Sequence, residues 1–150
     1  MRIMIVAISI DVNKASLNKV RADVAQVRKN LANIDEPMAK ISILLDRWVQ
    51  KNFRSEGGNV GGWEPFALGG RPGPKGIDTS AKLLQDTGRL RASFKPFADA
   101  NKAGIGSALE YSITHEEGRG VPARRMLPKR KEIEAQVQRL METALTKGLK

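Results

Sequence analysis

The residue best suited to acid–base chemistry or metal binding near neutral pH is the single histidine of the sequence, His115, which precedes Glu116 and Glu117. An imidazole next to carboxylates can serve as a general base or as a metal ligand. A helical zinc site needs a second ligand about one turn away, however, and the sequence contains no HExxH motif and no second histidine. The pattern therefore favours a structural hydrogen-bonding role for His115, with metal binding or catalysis as the alternative.

The other patterns that carry catalysis or nucleotide binding are missing. Gly104-Ile105-Gly106 has the glycines of a phosphate-binding loop, but neither GxxxxGK[ST] nor GxGxxG occurs. No serine lies in a GxSxG motif, and the absence of cysteine excludes thiolate nucleophiles, disulfide bonds and cysteine metal sites. We therefore expect a protein that is not an enzyme and that needs no cofactor.

The sequence is strongly basic, because 26 Lys and Arg against 16 Asp and Glu give a net charge of +10. Such a charge favours contact with polyanions or with acidic faces of proteins. The densest basic run comprises Arg119, Arg124, Arg125, Lys129, Arg130 and Lys131. It is either a solvated loop or a surface for DNA phosphates or an acidic protein. Zinc-finger, RNA-recognition and leucine-zipper patterns are absent, so a basic protein that binds nucleic acid without sequence preference is the alternative function.

The 150 residues fit one domain, and 41% hydrophobic residues with only 5% aromatic ones predict a core built mainly from aliphatic side chains. No run approaches the roughly 20 apolar residues of a membrane helix. The N-terminal sequence MRIMIVAISIDV also lacks the small-residue cleavage site of a signal peptide. We expect a soluble protein of the cytoplasm with no membrane partner.

Apolar periodicity predicts an N-terminal strand and then two helices. Residues Arg2 to Val12 alternate as in a strand. The apolar stripe of the first helix consists of Leu17, Val20, Val24, Val27, Leu31 and Ile34. The second helix begins near Asp35, Glu36 and Pro37, with an acidic residue to cap it. Its apolar face consists of Met38, Ile41, Leu44, Leu45, Trp48 and Val49. These faces either form the core, which we expect, or pack against a neighbouring subunit.

A segment rich in glycine and proline, from Arg54 to Ile77, separates these helices from the rest of the chain. More than about 20 residues without regular structure are uncommon in a compact domain unless the segment is functional or disordered. We interpret it as an extended arm or loop anchored by Trp63 and Phe66. Because an exposed tryptophan would be costly, we expect Trp63 to be buried at a subunit interface.

The remaining elements are predicted to be short, apart from the last. A third helix capped by Asp78, Thr79 or Ser80 should run through Leu84 and end by Gly88. Strands at 94–97 and 103–108 should form a hairpin whose turn is Asp99-Ala100-Asn101-Lys102, followed by a helix at 111–117 that ends at Gly118. The last helix is expected from about Pro128 to Leu149. Together these elements predict an α+β fold with a small antiparallel sheet, an N-terminal helical pair, a long arm and a C-terminal helix.

Several short motifs follow one another in a fixed order. They are Trp63-Glu64-Pro65, then LQDTGRLRAS from Leu84 to Ser93, then Ile105-Gly106-Ser107, Tyr111, His115 and Gly118, and finally Pro122-Ala123-Arg124. Their order and spacing resemble the phage virion morphogenesis family over most of the chain. The sequence departs from the family pattern at Ser112, at Glu116 and at Arg125-Met126-Leu127, which lacks the usual phenylalanine. All three are packing positions.

The resemblance implies a structural protein of a tailed bacteriophage neck, which forms a homo-oligomeric ring for head–tail joining or tail completion. It implies other neck and tail proteins as partners, DNA passing through the ring, and a place in the virion after assembly in the host cytoplasm. We expect Arg124 to make a bidentate contact with a carboxylate of the same or the next subunit. The candidate interface residues are Trp63, Phe66, Arg124, Arg125, Lys129, Arg130 and Lys131. The last three should need an anionic partner, because a helix N-terminus disfavours cations.

Overall fold

The computed structural model describes residues 13–149. Within this range lie five α-helices: α1 (Lys14–Leu31), α2 (Asp35–Arg54), α3 (Arg89–Ser93), α4 (Tyr111–Glu117) and α5 (Arg130–Leu145). Two antiparallel hairpins accompany them: β1 (Arg71–Gly73) with β2 (Gly76–Asp78), and β3 (Phe94–Ala98) with β4 (Ala103–Ser107). The fold is therefore α+β, as predicted. The strand predicted at Arg2 to Val12 lies outside the described residues.

Helix α1 has an apolar stripe but no buried residue. Asn13 caps the helix, since its Oδ1 accepts hydrogen bonds from Ala15 N at 2.9 Å and Ser16 N at 3.4 Å. The stripe residues Leu17, Val20, Val24 and Leu31 are 38%, 57%, 48% and 51% exposed. The prediction that this stripe forms part of the core is therefore wrong for α1.

Helix α2 is the central element of the core, as its apolar periodicity predicted. Val49 and Phe53 are completely buried, and Ile41 and Leu45 are buried as well. The helix begins at Asp35 without a side-chain cap, so the predicted capping by an acidic residue is wrong. The acids of its first turn still lie where the helix dipole favours negative charge.

The segment after α2 contains more regular structure than the sequence predicted. Gly58–Val60 forms one turn of 3-10 helix, and the β1–β2 hairpin occupies the end of the segment. Between them, Trp63 is 6% exposed and belongs to the core, and the half-buried Phe66 packs against it. The predicted anchoring by these two aromatic residues is therefore confirmed, whereas a wholly irregular arm is not.

The third helix predicted between Asp78 and Leu84 does not form. The Asp78 carboxylate accepts hydrogen bonds from Ser80 N at 2.9 Å and Ser80 Oγ at 2.7 Å, which closes a local turn instead of capping a helix. Leu84 has a φ of +58°, a left-handed conformation that a helix interior excludes. The helix of this region is α3, which begins directly after Gly88.

The β3–β4 hairpin packs against α2 and forms the other wall of the core. Its turn is closed by Asp99, whose backbone N donates to Lys102 O at 2.8 Å and whose Oδ1 accepts from Asn101 N at 2.8 Å. The core consists of Val49, Phe53, Trp63, Leu83, Leu90, Phe94 and Met126. The predicted positions of this hairpin and of its turn are confirmed to within one residue.

The last two helices follow the prediction closely. Helix α4 ends at Gly118, which has a φ of +75° and lies so close to Ala123 that an added Cβ would be 2.9 Å from the Ala123 side chain. Helix α5 begins two residues later than expected and ends at Leu145, four residues before the predicted end. It packs its half-buried apolar face on α2 and α1. Within residues 13–149, no helix combines the length and the apolar character that crossing a membrane requires.

Candidate functional site

Two side chains from distant parts of the sequence donate hydrogen bonds to the backbone carbonyl of Arg125. The indole Nε1 of Trp63 and the side-chain Nδ2 of Asn52 both donate to this oxygen at 2.9 Å. The Trp63 ring also contacts Phe53 edge to face, with the ring centroids 5.3 Å apart. Three distant parts of the chain, α2, the glycine-rich segment and the lead-in to α5, are thereby held at one point.

Gly57 makes the close approach of Trp63 possible. It has a φ of +88°, and an added Cβ would lie 2.4 Å from Cδ1 of the Trp63 ring. The backbone N of Trp63 donates to Glu56 O at 2.8 Å, so the segment turns back immediately after α2. The glycine is therefore needed both for its left-handed conformation and for its lack of a side chain.

Arg124 is 8% exposed and is held by backbone contacts. Its backbone N donates to His115 O at 2.7 Å, and its side-chain Nε donates to Glu64 O at 3.1 Å. Among residues 13–149 it forms no ion pair, so the same-subunit version of the predicted carboxylate contact does not occur there. A contact with the next subunit stays a prediction.

A bidentate ion pair is found one residue later, between Arg125 and Glu132. The two guanidinium nitrogens donate to the two carboxylate oxygens at 2.7 and 2.6 Å. Glu132 also accepts from the backbone N of Lys129 at 2.8 Å and so caps α5. The hydrogen bonds from Arg125, followed by that of Lys129, lower the pKa of Glu132 to about 2.

Glu116 holds the residues that follow Arg125. Its carboxylate accepts from Met126 N at 2.6 Å and from Leu127 N at 3.2 Å. Burial nevertheless raises its pKa, because the loss of water outweighs these two hydrogen bonds. Met126 is 1% exposed and belongs to the core. Of the positions that depart from the family pattern, Met126 therefore packs in the core, whereas Glu116 accepts hydrogen bonds from the backbone.

His115 lies at the end of α4 beside Tyr111, with the two rings edge to face. Burial, followed by the charge of Arg124, lowers its pKa, so the imidazole is neutral near pH 7. Its Nδ1 is buried and has no hydrogen-bond partner among residues 13–149, so the hydrogen bonding predicted for the imidazole is not found there. The contact with Arg124 N involves the backbone oxygen of His115 instead. No group of three potential metal ligands occurs within the same range.

The Thr-Gly-x-Leu motif meets Tyr111 and His115 around a shallow cleft of about 230 Å³, lined by residues 84 and 86–90 together with these two side chains. Ser93 ends the same motif, and its Oγ forms a hydrogen bond of 2.6 Å with the Oγ of Ser107 at the end of β4. Motifs that are far apart in the sequence therefore contact one another in the fold.

The cations around the start of α5 differ in whether a carboxylate of the same chain pairs with them. Arg130 pairs with Glu134 at 2.9 Å, one turn further along the helix. Lys129 and Lys131 are exposed, and in the described part of the chain neither forms an ion pair. The carboxylates of Glu132 and Glu134 thus offset part of the expected electrostatic cost within the chain itself. A partner for Lys129 and Lys131 stays a prediction.

The predicted interface residues fall into two groups. Trp63, Phe66, Arg124 and Arg125 make their main contacts inside the chain, so the burial of Trp63 does not require a neighbouring subunit. Lys129, Arg130 and Lys131 lie on the surface. A subunit contact stays a prediction for both groups. Sequence reasoning missed Asn52 and Glu132, because neither residue type signals a long-range contact without the fold.

The comparison with known families agrees with the motif contacts. Residues 15–146 match the model of the phage virion morphogenesis family. The chain belongs to this family. It is thus a bacteriophage protein that takes part in building the virion, within a family of structural rather than enzymatic character. No curated protein and no solved structure matches the chain significantly.

Membership of this family relates the motif contacts to the role of the protein. In this virion morphogenesis protein, the tryptophan, the Pro-Ala-Arg motif and the serine pair join the elements of the fold to one another. These residues determine the shape of the molecule, which is what a protein that works by assembly requires.

Proposed function

We propose that this virion morphogenesis protein is a component of the neck of a tailed bacteriophage. It forms a homo-oligomeric ring that completes the tail or joins it to the head, and it has no enzymatic activity. The mechanism is geometric: one face of the ring contacts the head connector, the other contacts the tail, and DNA passes through the centre.

The main support for this proposal is that the family motif residues make contacts inside their own chain. Trp63 and Arg124 connect the glycine-rich segment to the region before α5, and Ser93 connects α3 to β4. A catalytic centre would instead leave reactive groups grouped around a substrate pocket. The cleft beside His115 holds no nucleophile paired with a base in the described residues, which supports a scaffold role.

A phage that carries an amber codon in this gene tests the proposal. In a non-suppressing host, electron micrographs of the lysate should show filled heads and separate tails. Addition of the purified protein should then restore joined particles. Normal virions in the absence of the protein, or a failure to form heads at all, would contradict a role in the neck.

The alternative is a basic protein that binds nucleic acid without sequence preference, which the net charge of +10 favours. Within the basic run, however, Arg119, Arg125 and Arg130 are paired with carboxylates of the same chain, and Arg124 is buried. Tight duplex binding by the monomer, with an affinity that falls steeply with salt concentration, would support this alternative over the ring.

A further inference from the structure

Helix α1 presents an apolar surface that the described part of its own chain does not cover. The side chains of Leu17, Val20, Val24 and Leu31 follow one another at helical spacing and are between 38% and 57% exposed. A continuous apolar stripe of this kind on a folded protein marks an interaction surface. Its flanks are basic, because α1 carries Lys14, Lys19, Arg21, Arg28 and Lys29 against the single acid Asp23.

Helix α4 presents a smaller uncovered surface of opposite charge, with a single apolar side chain at its centre. Ile113 is 47% exposed on this face, whereas Tyr111, two residues earlier, lies on the other side of the helix beside His115. Glu110 and Glu117 are exposed at the two ends of the helix, with Ile113 between them on the same helical face. Glu117 pairs with Arg119, but both side chains are about half exposed, so water weakens this pair.

We propose that the α1 stripe of one copy packs on the α4 surface of a second copy of the same chain. The apolar stripe would meet Ile113, and the flanking Arg21 and Arg28 would lie near Glu110 and Glu117. Pairing of two α1 helices would instead bring basic flanks together, which charge repulsion disfavours. The inference rests on the proposed ring and names its subunit contact.

The two surfaces differ from one another, so the contact is heterologous. Each copy offers one α1 and one α4, and the repeated contact generates a closed ring when the rotation between neighbours closes. An α1–α1 contact would be isologous and would stop at a pair. The inference therefore also accounts for the cyclic symmetry that the proposed function requires.

Two interface variants and a matched control test the contact. The α1 variant is Val20→Ser/Val24→Ser, and the α4 variant is Glu110→Lys/Ile113→Ser. The control, Ala22→Ser/Ala25→Ser, introduces the same residue on exposed positions of α1 outside the stripe. Circular dichroism and thermal unfolding of each monomer should match the control, because the replaced side chains are exposed in the single chain.

Sedimentation velocity of the purified full-length proteins over a range of concentrations gives the decisive measurement, because it resolves the 16.5 kDa monomer from larger species. Wild type and control should form closed oligomers, whereas each interface variant should need at least a ten-fold higher concentration to assemble. An equimolar mixture of the two variants should form dimers and nothing larger. The reason is that the intact α1 of one variant meets the intact α4 of the other, and the remaining surfaces are both defective.

The other outcomes separate this inference from the proposed ring. If either variant forms the wild-type oligomer, or if the mixture stays monomeric while both variants fail to assemble, the α1–α4 contact is overturned and the ring is retained. If the wild-type protein is a monomer at every concentration and does not assemble when phage tails are added, both the contact and the ring are overturned.

Discussion

The indole Nε1 of Trp63 lies 2.9 Å from the backbone oxygen of Arg125, across 62 positions of the sequence. This single hydrogen bond ties the glycine-rich segment to the lead-in of α5. The same oxygen accepts a second hydrogen bond from Asn52, a completely buried residue of α2. The position of the segment between α2 and β1 is therefore set by the core, and through Trp63 the core also sets the start of α5.

Trp63→Ala should lower the free energy of unfolding by about 3 to 5 kcal/mol, because it leaves a large cavity beside Phe53. Trp63→Phe keeps most of the ring and loses the hydrogen bond, so it should cost about 1 to 2 kcal/mol. Urea unfolding followed by circular dichroism measures both values.

Phe97→Ala is the matched control for Trp63→Ala, since Phe97 is an aromatic residue with 51% exposure. It should change the free energy of unfolding by less than about 1 kcal/mol. Equal effects of the Trp63 and Phe97 substitutions would contradict the central role of Trp63 in the core.

The Arg125–Glu132 pair should make part of the stability depend on pH. The folded-state pKa of Glu132 is about 2. It lies below the value of about 4.3 for an unperturbed glutamate. The stabilisation is therefore present above about pH 4.3 and is lost as the pH falls towards 2. Glu132→Gln should lower the free energy of unfolding at pH 7 by about 1 to 3 kcal/mol, and this difference should shrink between pH 4 and pH 2.

Glu134→Gln controls for the loss of an α5 carboxylate, because it breaks only the exposed ion pair with Arg130. Such a surface pair contributes about 0.5 kcal/mol or less. Thermal unfolding of both variants across the pH range compares them. A pH-independent difference between wild type and Glu132→Gln would show that the carboxylate is not held as the structure places it.

Glu116→Gln should have the opposite effect to Glu132→Gln. Burial raises the pKa of Glu116, so its ionised form is penalised in the folded chain at pH 7. A glutamine oxygen can accept the same hydrogen bonds from Met126 and Leu127 without a buried charge. The melting temperature should rise by a few degrees at pH 7, and the gain should disappear as the pH falls below about 4.3, where the wild-type carboxyl group is itself neutral. Calorimetry measures both melting temperatures. A lower melting temperature for Glu116→Gln than for wild type at pH 7 would contradict the prediction.

The sequence predicted the elements whose periodicity or turn chemistry is local. The β3–β4 hairpin and the end of α4 at Gly118 were found where Asp99 and the glycine signalled them. The apolar face of α2 was also predicted correctly. In each case the residues that decide the structure lie within a few positions of it.

Two features were predicted wrongly because they depend on contacts that a local sequence pattern does not reveal. At Asp78, the same side chain that can cap a helix closes a turn with Ser80 instead. In α1, periodicity identified the apolar stripe but not what covers it, because an interior face and an exposed face have the same spacing. The contacts of Asn52 and Glu132 likewise follow from the fold and not from the spacing of their neighbours.

The final prediction concerns Lys129, the residue before α5, and Lys131, which lies in its first turn. Both are exposed, and among residues 13–149 neither pairs with a carboxylate, although each costs about 0.3 to 1 kcal/mol near a helix N-terminus. If an acidic face of a neighbouring neck or tail protein compensates them, Lys129→Glu/Lys131→Glu should leave the monomer equally stable or more so. It should reduce head–tail joining, and the defect should vary with salt concentration.

Lys95→Glu/Lys102→Glu makes the same charge change on the exposed β3–β4 hairpin and serves as the control. Counts of joined particles in electron micrographs decide the matter. Equal losses for both double variants would mean that net charge matters rather than this surface, and normal joining by the α5 variant would mean that water alone solvates the two lysines.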